Sequence, residues 1–206
     1  MADSPAARFA LNDLLRSSAV QKIDFSIGPY AINGPGYLRV AAAVVGRSMG
    51  VDVDPKRLAA DEGAAYEAPT NELVFRTASL ALNTVQRMNV VHECTHALIA
   101  NRRFRWDGTY TNSEAAAYVA GALYVAYSVS ALAREMLSDG SLDFLRTQEP
   151  FATAWRLALS IKDIKGASVS AADTIGLRAV VVASPTYAKY KVNFGTPVGL
   201  RPKSWD

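Results

Sequence analysis

The spacing of hydrophobic residues along the chain predicts a mostly helical protein. Residues 5–18 read as an amphipathic helix whose apolar side chains share one side. These side chains are Phe9, Leu11, Leu14 and Leu15. Residues 36–49 are rich in Ala and Val and predict a second helix that ends at Gly50, a residue typical of helix C-caps. Residues 22–34, between these two helices, are short and turn-rich.

The pattern changes in residues 64–76, where two short apolar runs flank a turn signal. Residues 64–68 and 73–76 stand on either side of Pro69, Thr70 and Asn71. This arrangement predicts a β-hairpin. The strand over residues 73–76 is also a candidate for pairing with an extended peptide by strand addition.

Two long helices are predicted in the middle of the chain. In residues 77–101, five side chains recur every three or four positions and therefore share one face. They are Val85, Met88, His92, His96 and Ile99. The next helix covers about residues 112–134, and its positions 115–133 carry no charge. Because eight of those 19 residues are Ala, we expect a buried helix and not a membrane span.

The remainder of the chain predicts two shorter helices, near residues 150–164 and 170–183. Residues 184–206 are expected to form an irregular tail, since three prolines lie in or beside it. A length of 206 residues corresponds to one domain. The sequence therefore predicts a single α+β domain over residues 1–206, mostly helical, with a small β-hairpin or sheet beside the histidine-bearing helix.

The composition excludes several classes of protein. Half of the residues are hydrophobic and the net charge is only +3, which excludes a mainly disordered chain and the dense basic surface of a nucleic-acid protein. One cysteine excludes an internal disulfide framework. Residues 1–20 lack the features of a secretory signal, so we expect a cytoplasmic protein, with export by a signal-independent system left open.

A short basic segment follows the predicted motif helix. Arg102, Arg103 and Arg105 alternate with Phe104 and Trp106. Basic and aromatic residues interleave in this way in proteins that bind single-stranded nucleic acid. Five residues are a weak signal, and positive charge also suits a helix C-terminus. We therefore expect no nucleic-acid partner.

The only two histidines of the chain lie within five residues. His92 and His96 enclose Glu93, Cys94 and Thr95 in an H-E-x-x-H motif. Residues four apart share a helix face, so both imidazoles can bind one metal ion. Glu93 stands one step around the helix and can reach an activated water, whereas Cys94 points away. The alternative is a pair of core histidines that form hydrogen bonds within the protein.

A catalytic zinc site needs a third protein ligand, with water in the fourth position. No third histidine exists, so we expect a carboxylate. Glu114 is the leading candidate, because it directly precedes the uncharged run and a metal would offset the cost of burying its charge. The alternative is that Glu114 only stabilises the helix, because a negative charge in the first turn interacts favourably with the helix dipole. Asp107, Glu67 and Glu135 are the remaining candidates.

These residues resemble those of the gluzincin metallopeptidases, in which two histidines on one helix and a glutamate on the next bind zinc. The likeness is carried by two stretches, Val91-His92-Glu93-Cys94-Thr95-His96-Ala97 and Asn112-Ser113-Glu114-Ala115-Ala116-Ala117-Tyr118. Small bacterial and phage-type zincin domains are similar, and they place an edge strand beside the motif helix. The resemblance covers about residues 60–130.

The resemblance implies a bound Zn²⁺ held by His92, His96 and Glu114. It implies a metallopeptidase core over about residues 60–135. The helical extension predicted over about 140–183 lies outside the resemblance.

Two features depart from the gluzincin pattern. Many gluzincins carry an aspartate four residues after the ligand glutamate, where it orients a ligand histidine, and this chain has Tyr118 there. Thermolysin-like enzymes also use an additional histidine to stabilise the oxyanion, and this chain has none. A tyrosine hydroxyl, from Tyr110, Tyr118 or Tyr66, or an arginine would have to replace it.

The function expected from the motif and the resemblance is zinc-dependent hydrolysis of a peptide bond in a peptide or protein substrate. A zinc-activated water attacks the carbonyl, and Glu93 acts as general base. The alternative is an inactive zincin-fold protein that keeps zinc as a sensor, a toxin-type partner or a structural staple. A housekeeping peptidase, a repressor-cleaving protease and an exported toxin all fit this chemistry.

Overall fold

The computed structural model describes residues 4–59, 62–78, 84–101, 110–128 and 147–184. Within them the chain is α+β and mostly helical, as predicted. The helices are α1 (Pro5–Arg16), α2 (Ser18–Gln21), α3 (Gly34–Val45), α4 (Thr84–Asn101), α5 (Tyr110–Ser128), α6 (Phe151–Ile161) and α7 (Ala171–Ala183). The strands are β1 (Asp24–Ile27), β2 (Tyr30–Asn33), β3 (Gly50–Val53), β4 (Ala64–Glu67), β5 (Glu72–Phe75) and β6 (Ala167–Val169).

The described strands form two small sheets. In one, β1 is central, antiparallel to β2 and parallel to β6. In the other, β5 is central, parallel to β3 and antiparallel to β4. The predicted hairpin is therefore confirmed as β4 and β5, and its turn contains Asn71 with a positive φ of 54°. Because β5 is paired on both sides, the prediction that residues 73–76 pair with a peptide is wrong; β3 and β4 are the edge strands of this sheet.

The sequence prediction missed four strands. Residues 22–34, interpreted as turns, contain the β1–β2 hairpin. Gly50 begins β3, whereas α3 already ends at Val45. Gly50 is required there by packing, since an added Cβ would lie 2.3 Å from Cγ of Glu72 on β5. This glycine serves a close approach of two strands, and its expected role as a helix cap was wrong.

Helix α5 is the centre of the molecule. It packs against α4, α6, α7 and α2, and its side chains from Ala115 to Ala126 are buried throughout. The predicted burial of the uncharged run is thus confirmed as far as Ala126, while residues 129–133 of that run lie outside the described residues. Among the described helices, none is both long and apolar enough to cross a bilayer.

Three helix predictions need correction in detail. Phe9 was expected on the apolar side of α1, but it is 70% exposed, while Leu11 and Leu15 are buried. A step of two residues turns a helix by about 200°, so Phe9 faces away from Leu11. Thr77 and Ala78 are not helical, and the described part of α4 begins at Thr84. The second long helix begins at Tyr110, two residues earlier than expected.

The two C-terminal helices are present as α6 and α7, close to the predicted positions. The predicted tail over residues 184–206 lies outside the described residues except for Ser184.

Candidate metal centre

The two histidines of the motif lie on one face of α4, as their spacing predicted. Their Nε2 atoms are 3.2 Å apart, and both point to the same side. The side chain of His92 is 11% exposed and that of His96 is 16% exposed, so the pair lies just beneath the surface. Cys94 is fully buried, away from this face, as expected.

Glu114 completes the group from α5. Its Oε2 is 3.3 Å from Nε2 of His92, and its Oε1 is 3.3 Å from Nε2 of His96. The two helices approach closely because Gly121 on α5 faces Met88 on α4, where an added Cβ would lie 3.0 Å from Cγ of Met88. Of the carboxylates considered from the sequence, the structure brings Glu114 to the histidines.

The spacing of these three donors matches that of ligands around a single small ion. The ligand atoms of His92, His96 and Glu114 all lie within 4.8 Å of one another. Donors bonded at about 2.0–2.1 Å to one tetrahedral ion lie about 3.3–3.4 Å apart. The contacts of 3.2–3.3 Å agree with that requirement. The group is therefore a candidate metal site formed by two imidazoles and one carboxylate.

The electrostatics of the group favour positive charge. Burial alone would lower the pKa of His96, but the charge and hydrogen bond of Glu114, with the charge of Glu93, raise it to about 9. Burial would raise the pKa of Glu114, but the two imidazoles hold it well below its usual range. An ionised carboxylate is thus kept in a buried position beside positive charge, which is the balance that a bound cation also provides.

Ser113 orients His96 from the side opposite the other donors. Its Oγ is 2.9 Å from Nδ1 of His96, which leaves Nε2 directed toward Glu114. A partner on the second ring nitrogen fixes the orientation of a metal-ligating histidine. This role of Ser113 was not predicted from the sequence, although Ser113 lies directly before the ligand candidate. Ser113 thus orients one of the histidines, as an aspartate at the position of Tyr118 does in many gluzincins.

No protein-family model, no curated protein and no solved structure matches the chain. The gluzincin likeness therefore rests on the residues and geometry of this chain alone.

Glu93 accepts a hydrogen bond from β4, an edge strand of the neighbouring sheet. The backbone N–H of Tyr66 on β4 donates to its Oε2 at 2.8 Å, and its Oε1 is 4.0 Å from Nε2 of His92. Burial raises the pKa of Glu93, while the nearby histidines and the Tyr66 N–H partly oppose that effect. The carboxylate is thus held beside the donors without belonging to them, as the motif predicted.

The tyrosines considered from the sequence have different surroundings. The ring of Tyr118 lies edge-on to His92, with centroids 4.6 Å apart, and also contacts Phe151. The hydroxyl of Tyr66 donates to Oδ1 of Asn71 at 3.0 Å, so it serves the β4–β5 turn. The side chain of Tyr110 lies outside the described part of the chain.

The other ligand candidates are not part of the group. Glu67 on β4 forms an ion pair with Arg57. Asp107 and Glu135 lie outside the described residues, as does the basic segment at Arg102, Arg103 and Arg105.

Proposed function

We propose that the chain is a zinc-dependent metallopeptidase. The observation that carries this proposal is the position of Glu93. Its carboxylate lies beside a three-donor metal site on one side and is bound by the N–H of an edge strand on the other. A base, a cation site and a strand edge are the parts that hydrolysis of a peptide bond needs in one place.

His92, His96 and Glu114 would hold the ion. Two imidazoles and one carboxylate are the donor set of catalytic zinc sites that leave the fourth position open. Among the described residues, no further His, Cys, Asp or Glu joins the group, whereas a purely structural zinc would be closed by a fourth protein ligand. When bound, zinc polarises a carbonyl and lowers the pKa of water.

Glu93 supplies the proton transfers. Its carboxylate accepts a proton from the attacking water as the new carbon–oxygen bond forms. The same proton then passes to the nitrogen of the leaving amine as the carbon–nitrogen bond breaks. The Tyr66 N–H holds the carboxylate in place for both steps, and Ser113 holds the ring of His96.

Strand β4 is the proposed binding edge for the substrate backbone. Since the N–H of Tyr66 points away from β5, the C=O of Tyr66 and the backbone groups of Ala64 face the same way in this antiparallel pair. An extended peptide can add to such an edge by main-chain hydrogen bonds. That position brings its backbone next to Glu93.

Tyr118 is the proposed donor to the oxygen of the scissile carbonyl, because its ring already contacts His92. Removal of one such donor costs about a hundredfold or more in kcat. We expect Tyr118→Phe to lower kcat by about that factor while zinc content stays unchanged. An unchanged kcat would assign the residue to packing alone. Tyr110 remains a second candidate for this role.

Glu93→Gln is the experiment that tests the function. The amide keeps the shape of the side chain but accepts no proton, so we expect full zinc content and loss of turnover on a peptide library. Glu149→Gln makes the same change at a partly exposed carboxylate outside this group, so it serves as the matched control and should keep turnover. A fully active Glu93→Gln protein would contradict the mechanism.

The same experiment addresses the alternative, a zincin-like protein that binds zinc and acts as a sensor or a toxin-type partner. Zinc binding without turnover in the unaltered protein would favour that alternative.

A further inference from the structure

A small cavity lies along α4, on the N-terminal side of Glu93. Its volume is about 80 Å³, and its lining residues are Gly63, Phe75, Arg76, Thr77, Gln86, Asn89 and Val90. On α4, Gln86, Asn89 and Glu93 are spaced by three and four residues, so they share one face. The cavity therefore begins about one helical turn, roughly 5.4 Å, from the proposed base.

The cavity also lies at the N-terminal end of β4, the proposed binding edge. Gly63 lines it and precedes Tyr66 by three residues, about 10 Å along an extended strand. A peptide that pairs antiparallel to β4 runs from Tyr66 toward Gly63. The part of the peptide that reaches the cavity is then the part on the C-terminal side of the bond next to Glu93.

The chemistry of the cavity is that of a site for an anion. Phe75 and Val90 are buried and form an apolar floor, whereas Thr77 and Gln86 are exposed at its rim. Arg76 is the charged lining residue, and no carboxylate belongs to the lining. The remaining polar side chains of the lining, those of Gln86, Asn89 and Thr77, carry no negative charge.

Arg76 is held in place by the backbone. Its Nε donates to the carbonyl oxygen of Glu62 at 2.9 Å, and its Nη2 donates to that of Ala59. These two bonds use two of the five N–H donors of a guanidinium. Within the described part of the chain, Arg76 forms no ion pair with a carboxylate. A fixed guanidinium with remaining donors is suited to binding a carboxylate.

We propose that this cavity selects substrates that carry a carboxylate on the C-terminal side of the cleaved bond, with Arg76 as the residue that recognises it. The proposal rests on the peptidase function proposed above. The carboxylate belongs either to an Asp or Glu side chain or to a free peptide C-terminus, and both have the same chemistry.

The test is a cleavage profile of the zinc-loaded protein on a peptide library that includes free and amidated C-termini. We expect acidic residues or the free C-terminus to be enriched at one fixed position after the cleaved bond. Enrichment that survives amidation identifies a side chain, and enrichment lost on amidation identifies the C-terminus. The variants Arg76→Gln and Gln86→Glu should lower kcat/KM for the carboxylate-bearing peptide roughly ten- to a hundredfold relative to its neutral analogue.

Two controls separate recognition from folding. Arg87→Gln removes an exposed arginine of α4 that does not line the cavity, and it should leave the cleavage profile unchanged. Arg76 also donates hydrogen bonds to two backbone carbonyls, so Arg76→Gln could disturb the fold. Loss of fold would lower cleavage of the carboxylate-bearing peptide and of its neutral analogue alike. The exposed Gln86→Glu then provides the independent measurement, since it adds a like charge at the rim.

Each result leads to a distinct conclusion. Cleavage without a carboxylate preference overturns this inference and leaves the proposed function standing. A preference that persists unchanged in folded Arg76→Gln and in Gln86→Glu overturns the assignment of the cavity. Absence of cleavage by zinc-loaded protein overturns the peptidase function and this inference with it.

Discussion

Two clusters of charged groups lie close to the same hairpin, and they are neutralised in different ways. In the first, Arg57 binds Asp52, Glu67 and Glu72 at 2.8, 2.5 and 2.9 Å. Glu67 and Glu72 stand directly opposite each other on β4 and β5, where like charges are unfavourable without a partner. The guanidinium occupies the centre of this cluster, and its bonds to Glu67 and Glu72 raise its pKa.

In the second cluster, the donors of His92, His96 and Glu114 converge on one point at 3.2–3.3 Å from one another. The difference separates a structural cluster from a candidate binding site. The cation of the first cluster is a fixed arginine, whereas the positive charge of the second comes from imidazole protons, which a metal ion displaces because it binds neutral imidazole. Zinc should therefore matter to the second cluster and not to the first.

The largest effect on stability is expected from Arg57→Met. The change leaves three carboxylates without their shared cation, and breaking a buried charge pair costs about 3–5 kcal/mol. We expect the lower end of this range, because Arg57 and Glu67 retain partial exposure. Urea unfolding measures the loss, and zinc content should be unaffected. A loss below about 1 kcal/mol would contradict the structural role of Arg57.

Ser113→Ala should act on the second cluster alone. Loss of a partner that orients a ligand histidine typically weakens metal affinity about 10–100-fold. Competition with a chromogenic chelator measures the affinity, and Ser113→Thr, which keeps the hydroxyl, should restore most of it. Urea unfolding of the metal-free variant should change little. Unaltered zinc affinity would mean that the bond to His96 does not position the ring.

The smallest effect is expected at an exposed carboxylate, which provides a reference for both clusters. Hydrogen bonds from the Ser170 side chain and backbone lower the pKa of Asp173 at the start of α7. Because the folded pKa lies below the ordinary 3.8, the stabilisation is complete above that pH and is lost as the pH falls through the folded value.

The protection factor for hydrogen exchange at the first turn of α7, which corrects for the intrinsic pH dependence of exchange, should therefore fall slightly below about pH 4. Asp173→Asn should show the same lowered protection at neutral pH. A protection factor that is unchanged across this pH range would contradict the capping role of Asp173.

The candidate metal site was largely predictable because helical spacing is a local property. A spacing of four positions places His92 and His96 on one face of any helix, and Glu114 stood out as the charge before an uncharged run. Ser113 was not predictable, since its role depends on how α5 lies against α4. That packing depends on Gly121, whose close contact with Met88 only the folded structure reveals.

The strands were harder to predict than the helices. Strands of four residues are too short to show a clear alternation of apolar and polar positions. β4 and β5 are equally short and were predicted from the turn signal at Pro69, Thr70 and Asn71, not from alternation. Gly50 illustrates the difficulty, because a glycine after a helical run favours a C-cap in the sequence, yet here it makes room for Glu72. The role of β4 as edge strand depended on the pairing of β3 with β5, which is not a local feature.

The proposed function requires that His92, His96 and Glu114 bind a metal. The decisive measurement is metal content by mass spectrometry on untagged protein purified without chelator, with Glu114→Ala and Arg57→Met in parallel. We expect one zinc per chain in the unaltered protein and in Arg57→Met, and its loss in Glu114→Ala. Protein that contains no metal, even after zinc is added back, would show that His92 and His96 are core residues and would contradict the proposed function.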